Sequence, residues 1–137
     1  MGGRNEAMTV IRSLLLLAVS GWAAVACTPA PYVLPSADGG TDPSPPSLQG
    51  RIGRIAPGEI VIHPDGAPAD LAKAITIRLT PTTEIFTVYG GYVAPNELIP
   101  GLRVRIWFER AAKPRASRIE NAATIEIAST DPNDEWP

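Results

Sequence analysis

The residues of this chain that could carry out acid–base, nucleophilic or metal chemistry are few and scattered. His63 is the only histidine, and it lies two residues before Asp65. Together they could supply two metal ligands at most, whereas metal sites in proteins use several. A triad of Ser117, His63 and Asp65 has no nucleophile-elbow motif Gly-x-Ser-x-Gly to support it. We therefore expect His63 to be a polar residue that ends a strand, and we predict no metal site and no catalytic nucleophile.

The glutamates give no better basis for catalysis. Five of them fall at exposed positions or at the ends of predicted strands, where a solvated face explains them: Glu59, Glu84, Glu109, Glu120 and Glu126. A glycosidase needs two carboxylates about 5 to 9.5 Å apart in a cleft, and a domain of this size rarely frames one. No phosphate-binding loop or dinucleotide fingerprint is present. The sequence predicts a protein that is not an enzyme and needs no cofactor.

Two surface features could bind a partner, and each has a structural alternative. Tyr89-Gly90-Gly91-Tyr92 places two aromatic residues on a flexible turn, where they could stack on a sugar ring or pack on another protein. Alternatively, the turn is tight and its tyrosines cover the end of the domain.

The second feature is the row Arg103, Arg105 and Trp107, with Arg118 on the next predicted strand. All three residues of the row face outward if the strand alternates. An exposed tryptophan among arginines is typical of a recognition face. The alternative is a surface ladder of cation–π contacts, with Glu109 and Glu120 as counter-charges.

Short β-branched runs separated by glycine and proline predict an all-β domain over residues 48–129. Gly53 interrupts the first run and predicts a bulge, and Thr80-Pro81-Thr82 predicts a turn. The predicted strands are residues 51–55, 59–63, 74–79, 84–88 and 102–109, with a last strand or pair at 116–119 and 124–127; residues 67–73 are weakly helical. The expected core is Ile52, Ile55, Ile60, Ile62, Ile75, Ile77, Leu79, Ile85, Leu98, Val104, Ile106, Phe108, Ile119 and Ile127. Five or six strands of this length predict a small barrel or sandwich.

The order of short motifs resembles the small OB-like β-barrel domains of unknown function found in many bacterial lipoproteins and exported proteins. The motifs are Gly-x-Ile-x-x-Ile at 50–55, Glu-Ile-Val-Ile at 59–62, Ile-x-Ile-x-Leu-Thr at 75–80, Thr-x-Ile at 83–85, Leu-x-x-Gly-x-x-Val at 98–104 and Ala-x-x-Ile at 116–119. The resemblance implies a five- to six-stranded OB-like barrel, with Thr83 as a loop anchor and the Leu98-x-x-Gly101 motif turning into the strongest strand. It brings no catalytic residues.

The chain begins with a pattern typical of a secretory signal peptide. Arg4 and Arg12 precede an apolar run that ends in small residues and then Cys27, the only cysteine. The run is shorter than the roughly 20 residues that span a bilayer. Met1 and Met8 are both possible starts.

The ending Ala24-Val25-Ala26-Cys27 resembles the lipobox of bacterial lipoproteins, although that pattern prefers leucine where this chain has Ala24. The resemblance implies cleavage before Cys27 and lipidation of its thiol, which would also explain an unpaired exported cysteine. Thr28 in place of aspartate implies the outer membrane, if the cell has two. The alternative is an ordinary signal peptide that leaves Cys27 as a free thiol.

The stretch at 27–47 contains six prolines and little to bury, so it predicts a disordered or semi-extended tether. At about 3 Å per residue it could hold the domain up to ~60 Å from a membrane. Residues 130–137 read as a flexible acidic tail. Removal of residues 1–26 takes away two arginines and one glutamate, so that 12 basic and 14 acidic residues become 10 and 13. This acidic balance and the exported location argue against nucleic acid as a partner.

These observations predict four segments: a lipoprotein signal peptide (1–26), an acylated Cys27 with its tether (27–47), a β-barrel (48–129) and a tail (130–137). The expected function is a non-catalytic envelope lipoprotein that is held to the membrane through Cys27. Its barrel would present a face to an envelope protein or a glycan. The alternative is a glycan- or small-ligand-binding module that uses Tyr89 and Tyr92.

Overall fold

The computed structural model describes residues 29–67 and 73–137, which form five strands and one short 3-10 helix. The predicted signal peptide, Cys27 and most of the helical piece at 67–73 lie outside the described residues. The elements are β1 (Leu48–Ala56), β2 (Glu59–Pro64), β3 (Ile75–Thr87), η1 (Pro95–Glu97), β4 (Arg103–Phe108) and β5 (Glu120–Ile127).

The five strands close into a barrel in the order β1-β2-β3-β5-β4. β1 is antiparallel to both β2 and β4, and β3 runs parallel to β5. This is the five-stranded Greek-key arrangement of an OB-like barrel, so the predicted fold class is confirmed.

β1 can pair with two neighbouring strands because it bends. Its register with β2 shifts between Ile52 and Arg54, which places the predicted bulge at Gly53. The His63 ring lies over Gly53, and a Cβ at that position would overlap the imidazole. The bulge prediction is confirmed, and the structure adds the reason why the residue is glycine.

β3 is a single strand of 13 residues, so the prediction of two strands separated by a turn is wrong. The register with β5 shifts between Leu79 and Glu84, which makes the Thr80-Pro81-Thr82 segment an irregularity within one strand. Proline is tolerated there because a bulge needs no N–H from it. Thr83 holds the segment in place: its Oγ1 accepts the Thr80 N–H at 2.8 Å and donates to the Ala122 carbonyl at 2.7 Å. Thr83 is therefore an anchor, as predicted.

The core is a cluster of aliphatic residues with Phe108, and it contains most of the residues expected from alternation. Ile55 and Leu79 are only partly buried against it. Leu98 is buried, and the Gly101 N–H donates to the Ile52 carbonyl at 2.7 Å, which confirms the predicted turn into β4. Sequence reasoning missed the following core residues: Leu48, Leu102, Ala122 and Ile125.

The prediction of a strand at residues 116–119 is wrong. This stretch belongs to the β4–β5 loop at residues 109–119, where the Arg118 N–H donates to the Arg115 carbonyl in a turn. Ile119 was expected in the core but is 47% exposed. The apolar residue lies one position before β5 begins, so the alternation of the strand does not govern it.

The segment before the barrel departs from the predicted tether. Residues 32–47, here called the strap, contain no strand or helix but lie against the barrel. The Tyr32 hydroxyl donates to the Phe108 carbonyl at 2.8 Å, and the backbones of Val33 and Ser44 meet through a Ser44 N–H to Val33 carbonyl bond of 2.9 Å. The strap is thus a closed loop pinned to the outer side of β4.

The predicted flexible tail also folds back onto the barrel. Glu135 pairs with Arg103 at 3.2 Å, and the Trp136 ring lies 4.0 Å from the Arg105 guanidinium carbon. The Pro132 carbonyl accepts a bond from Arg51 at 3.3 Å.

The Thr83 bridge predicts a stability effect. Thr83→Val keeps the shape of the side chain but leaves the Thr80 N–H and the Ala122 carbonyl without their partner. Loss of two partly buried bonds should lower the free energy of unfolding by about 1–3 kcal/mol. Urea denaturation measures it, with Thr82→Val at a neighbouring exposed position as the control. Equal midpoints for the two variants would contradict the anchor role.

Candidate functional site

The outer face of β4 does not present an exposed tryptophan. Trp107 points away from the core cluster, as predicted, but only 3% of it is exposed. The strap covers it, and the indole N–H donates to the Ser44 carbonyl at 2.6 Å. The prediction that Trp107 is part of an open recognition face is therefore wrong, because the segment read as a tether occupies that face.

Arg103 and Arg105 face outward, but their charges are engaged within the protein. Arg105 pairs with Glu126 at 3.3 Å, and its guanidinium group stacks over the Trp136 ring. Arg103 pairs with Glu135. The row is a ladder of ion pairs and a cation–π contact. Of the two predicted counter-charges, Glu120 pairs with Arg118 at 2.9 Å, but Arg103 and Arg105 have other partners. The tail supplies two of them, which no strand pattern could have shown.

The Tyr89–Tyr92 turn is a protruding hairpin tip. The Gly90 N–H donates to the Thr87 carbonyl at 2.8 Å, and Phe86 and Tyr92 form an antiparallel bridge. The predicted tight turn is confirmed. Tyr89 is 79% exposed and Tyr92 66%, so the alternative in which they cover the end of the barrel is wrong. Both rings are accessible to a ligand.

A cleft of about 400 Å³ lies between the hairpin and the strap. The hairpin comes close to the strap at Gly90, since a Cβ there would lie 2.6 Å from the Ala37 carbonyl oxygen, and its φ of 92° also favours glycine. Three carboxylates line the cleft: Asp38, Asp42 and Glu126. Glu126 is paired with Arg105, so the two aspartates supply the negative charge. The negative charge disfavours an anionic ligand. An uncharged ligand that stacks on Tyr89 fits this cleft better.

A second cleft, of about 520 Å³, adjoins the β4–β5 loop and has a different charge pattern. It is lined by the side chains of Arg78, Arg110, Arg118, Glu109, Glu120, Asn121 and Ile119. Arg118 pairs with Glu120 at 2.9 Å, and Arg78 pairs with Glu59 at 3.8 Å. Sequence reasoning missed this surface. Its signal was the spacing of four basic residues within residues 110–118.

In the described part of the chain, no hydrogen bond connects His63, Asp65 and Ser117, the residues considered for catalysis. His63 is exposed on β2 with its ring over Gly53, Asp65 is in the turn that follows, and Ser117 is on the β4–β5 loop. Within residues 29–67 and 73–137, no group of three or more histidine, cysteine, aspartate or glutamate side chains could hold a metal ion. Cys27, the predicted lipidation site, lies outside those ranges.

Comparison with known proteins finds no matching family model, no matching curated protein and no matching solved structure. In the part of the chain that the structure describes, no helix is long and apolar enough to cross a membrane.

The strap generates a prediction about local stability. Trp107→Phe keeps an aromatic ring but removes the N–H that binds the Ser44 carbonyl. We expect amide hydrogen exchange at Val33 and Ser44 to become about tenfold faster, equivalent to about 1.4 kcal/mol. The barrel amides should change little, because local opening of the strap leaves the core intact.

Trp136→Phe is the matched control, since it changes the other described tryptophan, which contacts Arg105 rather than the strap. Equal exchange rates in the two variants would show that the indole bond does not hold the strap.

Proposed function

We propose that this protein is an exported lipoprotein, anchored through an acyl group on Cys27, whose barrel is a non-catalytic interaction domain of the cell envelope. The observation that carries the proposal is the apolar run that ends in Ala24-Val25-Ala26-Cys27, the only cysteine of the chain. Thr28 after the cysteine supports the outer membrane as its location if the cell has two membranes.

The barrel supports an interaction role in two ways. Its interior is filled by apolar side chains, and Thr124 is the only buried polar residue among the described positions, so the core offers no internal site. Exposed aromatic residues are instead concentrated on the hairpin. Such a domain can present a surface to a partner without supplying chemistry of its own.

The anchor predicts the behaviour of a Cys27→Ala variant. Without the thiol, no acyl group can be attached, so the protein should leave the membrane fraction and lose incorporation of a labelled fatty acid. Fractionation and metabolic labelling measure the two effects. Thr28→Ala, at the next position, is the control and should remain lipidated. A Cys27→Ala protein that stays membrane-bound at the wild-type level would contradict the proposal.

A second candidate function is the binding of an uncharged glycan, and the exposure of Tyr89 and Tyr92 favours it. Aromatic rings that stand free of the protein can stack on the apolar face of a sugar. The carboxylates in the adjoining cleft favour a neutral saccharide over an acidic one.

Replacement of both tyrosines tests this function. Tyr89→Ala with Tyr92→Ala should weaken retention on neutral envelope polysaccharide about tenfold, since each ring contact contributes about 0.5–1.5 kcal/mol. The double Tyr→Phe variant keeps both rings and should retain most of the affinity. Affinity electrophoresis gives the comparison. Retention that is the same for the wild type and the double alanine variant would exclude the hairpin as a glycan site.

A further inference from the structure

The strap begins at the end of β4, next to the β4–β5 loop. The Tyr32 hydroxyl donates to the Phe108 carbonyl and lies 3.4 Å from the Ser47 hydroxyl. Tyr32 also lines a small cleft of about 360 Å³ with Ala111, Ala112 and Lys113 of the loop. The strap therefore begins against the loop, rather than at a distance from the barrel.

This position limits how far the barrel can lie from a lipid attached to Cys27. Only five residue steps separate Cys27 from Tyr32. Five residues span at most about 18 Å even when fully extended. A detached tether would allow ~60 Å. With Tyr32 docked, the β4–β5 loop has to lie close to the membrane surface.

The loop carries the charge that an anionic surface would attract. Residues 109–120 contain four basic and two acidic residues, in a chain whose net charge is −2. Arg118 is neutralised by Glu120, and Glu109 accepts a weak bond of 3.4 Å from the Asn121 amide.

Three cations of the loop remain for a ligand. Arg110, Lys113 and Arg115 are exposed, and none has an ion-pair partner among the described residues. The 47% exposed Ile119 adds an apolar side chain at the end of the same loop.

We infer that the β4–β5 loop binds the anionic phospholipid headgroups of the membrane in which the chain is anchored. The inference rests on the proposed acylation of Cys27. A basic patch on the protein is a recognised membrane-binding signal that acts together with a lipid anchor. Each exposed Lys or Arg near an anionic surface adds an attraction that corresponds to about a fivefold gain. The loop and the lipid thus hold the barrel in one orientation on the membrane.

The test measures the depth of the loop in a lipid bilayer. Acylation blocks the only native thiol, so a single introduced cysteine can be labelled with a fluorophore. Ala112→Cys places the label on the loop, and Gly91→Cys places it on the hairpin, at the other end of β5. The lipidated full chain is reconstituted into vesicles with a lipid-borne quencher, made either of phosphatidylcholine alone or with phosphatidylglycerol.

We expect the Ala112→Cys label to be quenched several-fold more than the Gly91→Cys label in phosphatidylglycerol vesicles, with the difference reduced in phosphatidylcholine or high salt. Neutralisation by Arg110→Gln, Lys113→Gln and Arg115→Gln should lower the affinity of the loop for the surface on the order of 100-fold and reduce the difference to the level seen in phosphatidylcholine. The variant with Arg110→Lys, Lys113→Arg and Arg115→Lys keeps all three positive charges and should preserve the quenching. Arg54→Gln, at an exposed position on β1, should change little.

Two results would overturn the inference. Equal quenching of the two labels in phosphatidylglycerol vesicles would show that the loop does not face the lipid. Loss of loop quenching on addition of inorganic phosphate at low millimolar concentration, with ionic strength held constant, would show a site for the free anion instead. Mass spectrometry of the amino-terminal peptide separates these results from failure of the proposed function, because an unacylated Cys27 refutes the anchor itself.

Discussion

Closure of the barrel depends on one strand that hydrogen-bonds to two neighbours. β1 pairs with β4 through its first residues and with β2 through the remainder, and the two pairings overlap at Gly50 and Arg51. A Cβ at Gly50 would overlap the His63 carbonyl, so the close approach of β1 to β2 requires glycine there. The bulge at Gly53 then turns the strand around the barrel. Both glycines therefore contribute to closure of the barrel, which places β4 where the strap reaches it.

The outer face of the closed barrel carries two large aromatic residues whose exposure to water would be unfavourable. Phe86 and Trp107 are 2% and 3% exposed, although neither belongs to the core cluster. The strap covers Trp107, and Phe86 borders the cleft between strap and hairpin. The strap is therefore part of the folded unit. It contains no strand or helix and is held by a few hydrogen bonds and its contact with Trp107, which places it among the less stable parts of the structure.

The sequence predicts the barrel well where alternation and turn chemistry govern it. β2, β4 and the bulge at Gly53 follow from local pattern, because each is decided by a residue and its near neighbours. The anchor role of Thr83 was implied instead by the resemblance to small OB-like barrels. The continuity of β3 through Pro81 could not be predicted from local pattern, since it depends on the Thr83 bond to Ala122, 39 residues away. Composition likewise failed for the strap: a proline-rich, polar segment is expected to remain disordered, unless single contacts such as Tyr32 to Phe108 fix it.

The candidate site shows the same division between local and distant causes. The tight turn that carries Tyr89 and Tyr92 can be read in the sequence, which left open whether the two rings are exposed. The burial of Trp107 cannot be read in this way, because the covering Ser44 lies 63 residues earlier. Net charge was equally incomplete as a guide, since it averages a carboxylate-lined cleft beside the hairpin with a basic loop elsewhere.

These two charged regions lie at opposite ends of β5. The β4–β5 loop precedes β5, and the Val88 N–H beside the hairpin bonds to the Ile127 carbonyl where β5 ends. Eight residues at about 3.3 Å each separate the two by roughly 25 Å. A loop held against lipid would therefore point the tyrosines away from the membrane, toward the space in which an envelope glycan is found. The short reach from Cys27 to Tyr32 and the exposure of the hairpin are thus compatible parts of one arrangement, in which the strap orients the barrel rather than extending its range.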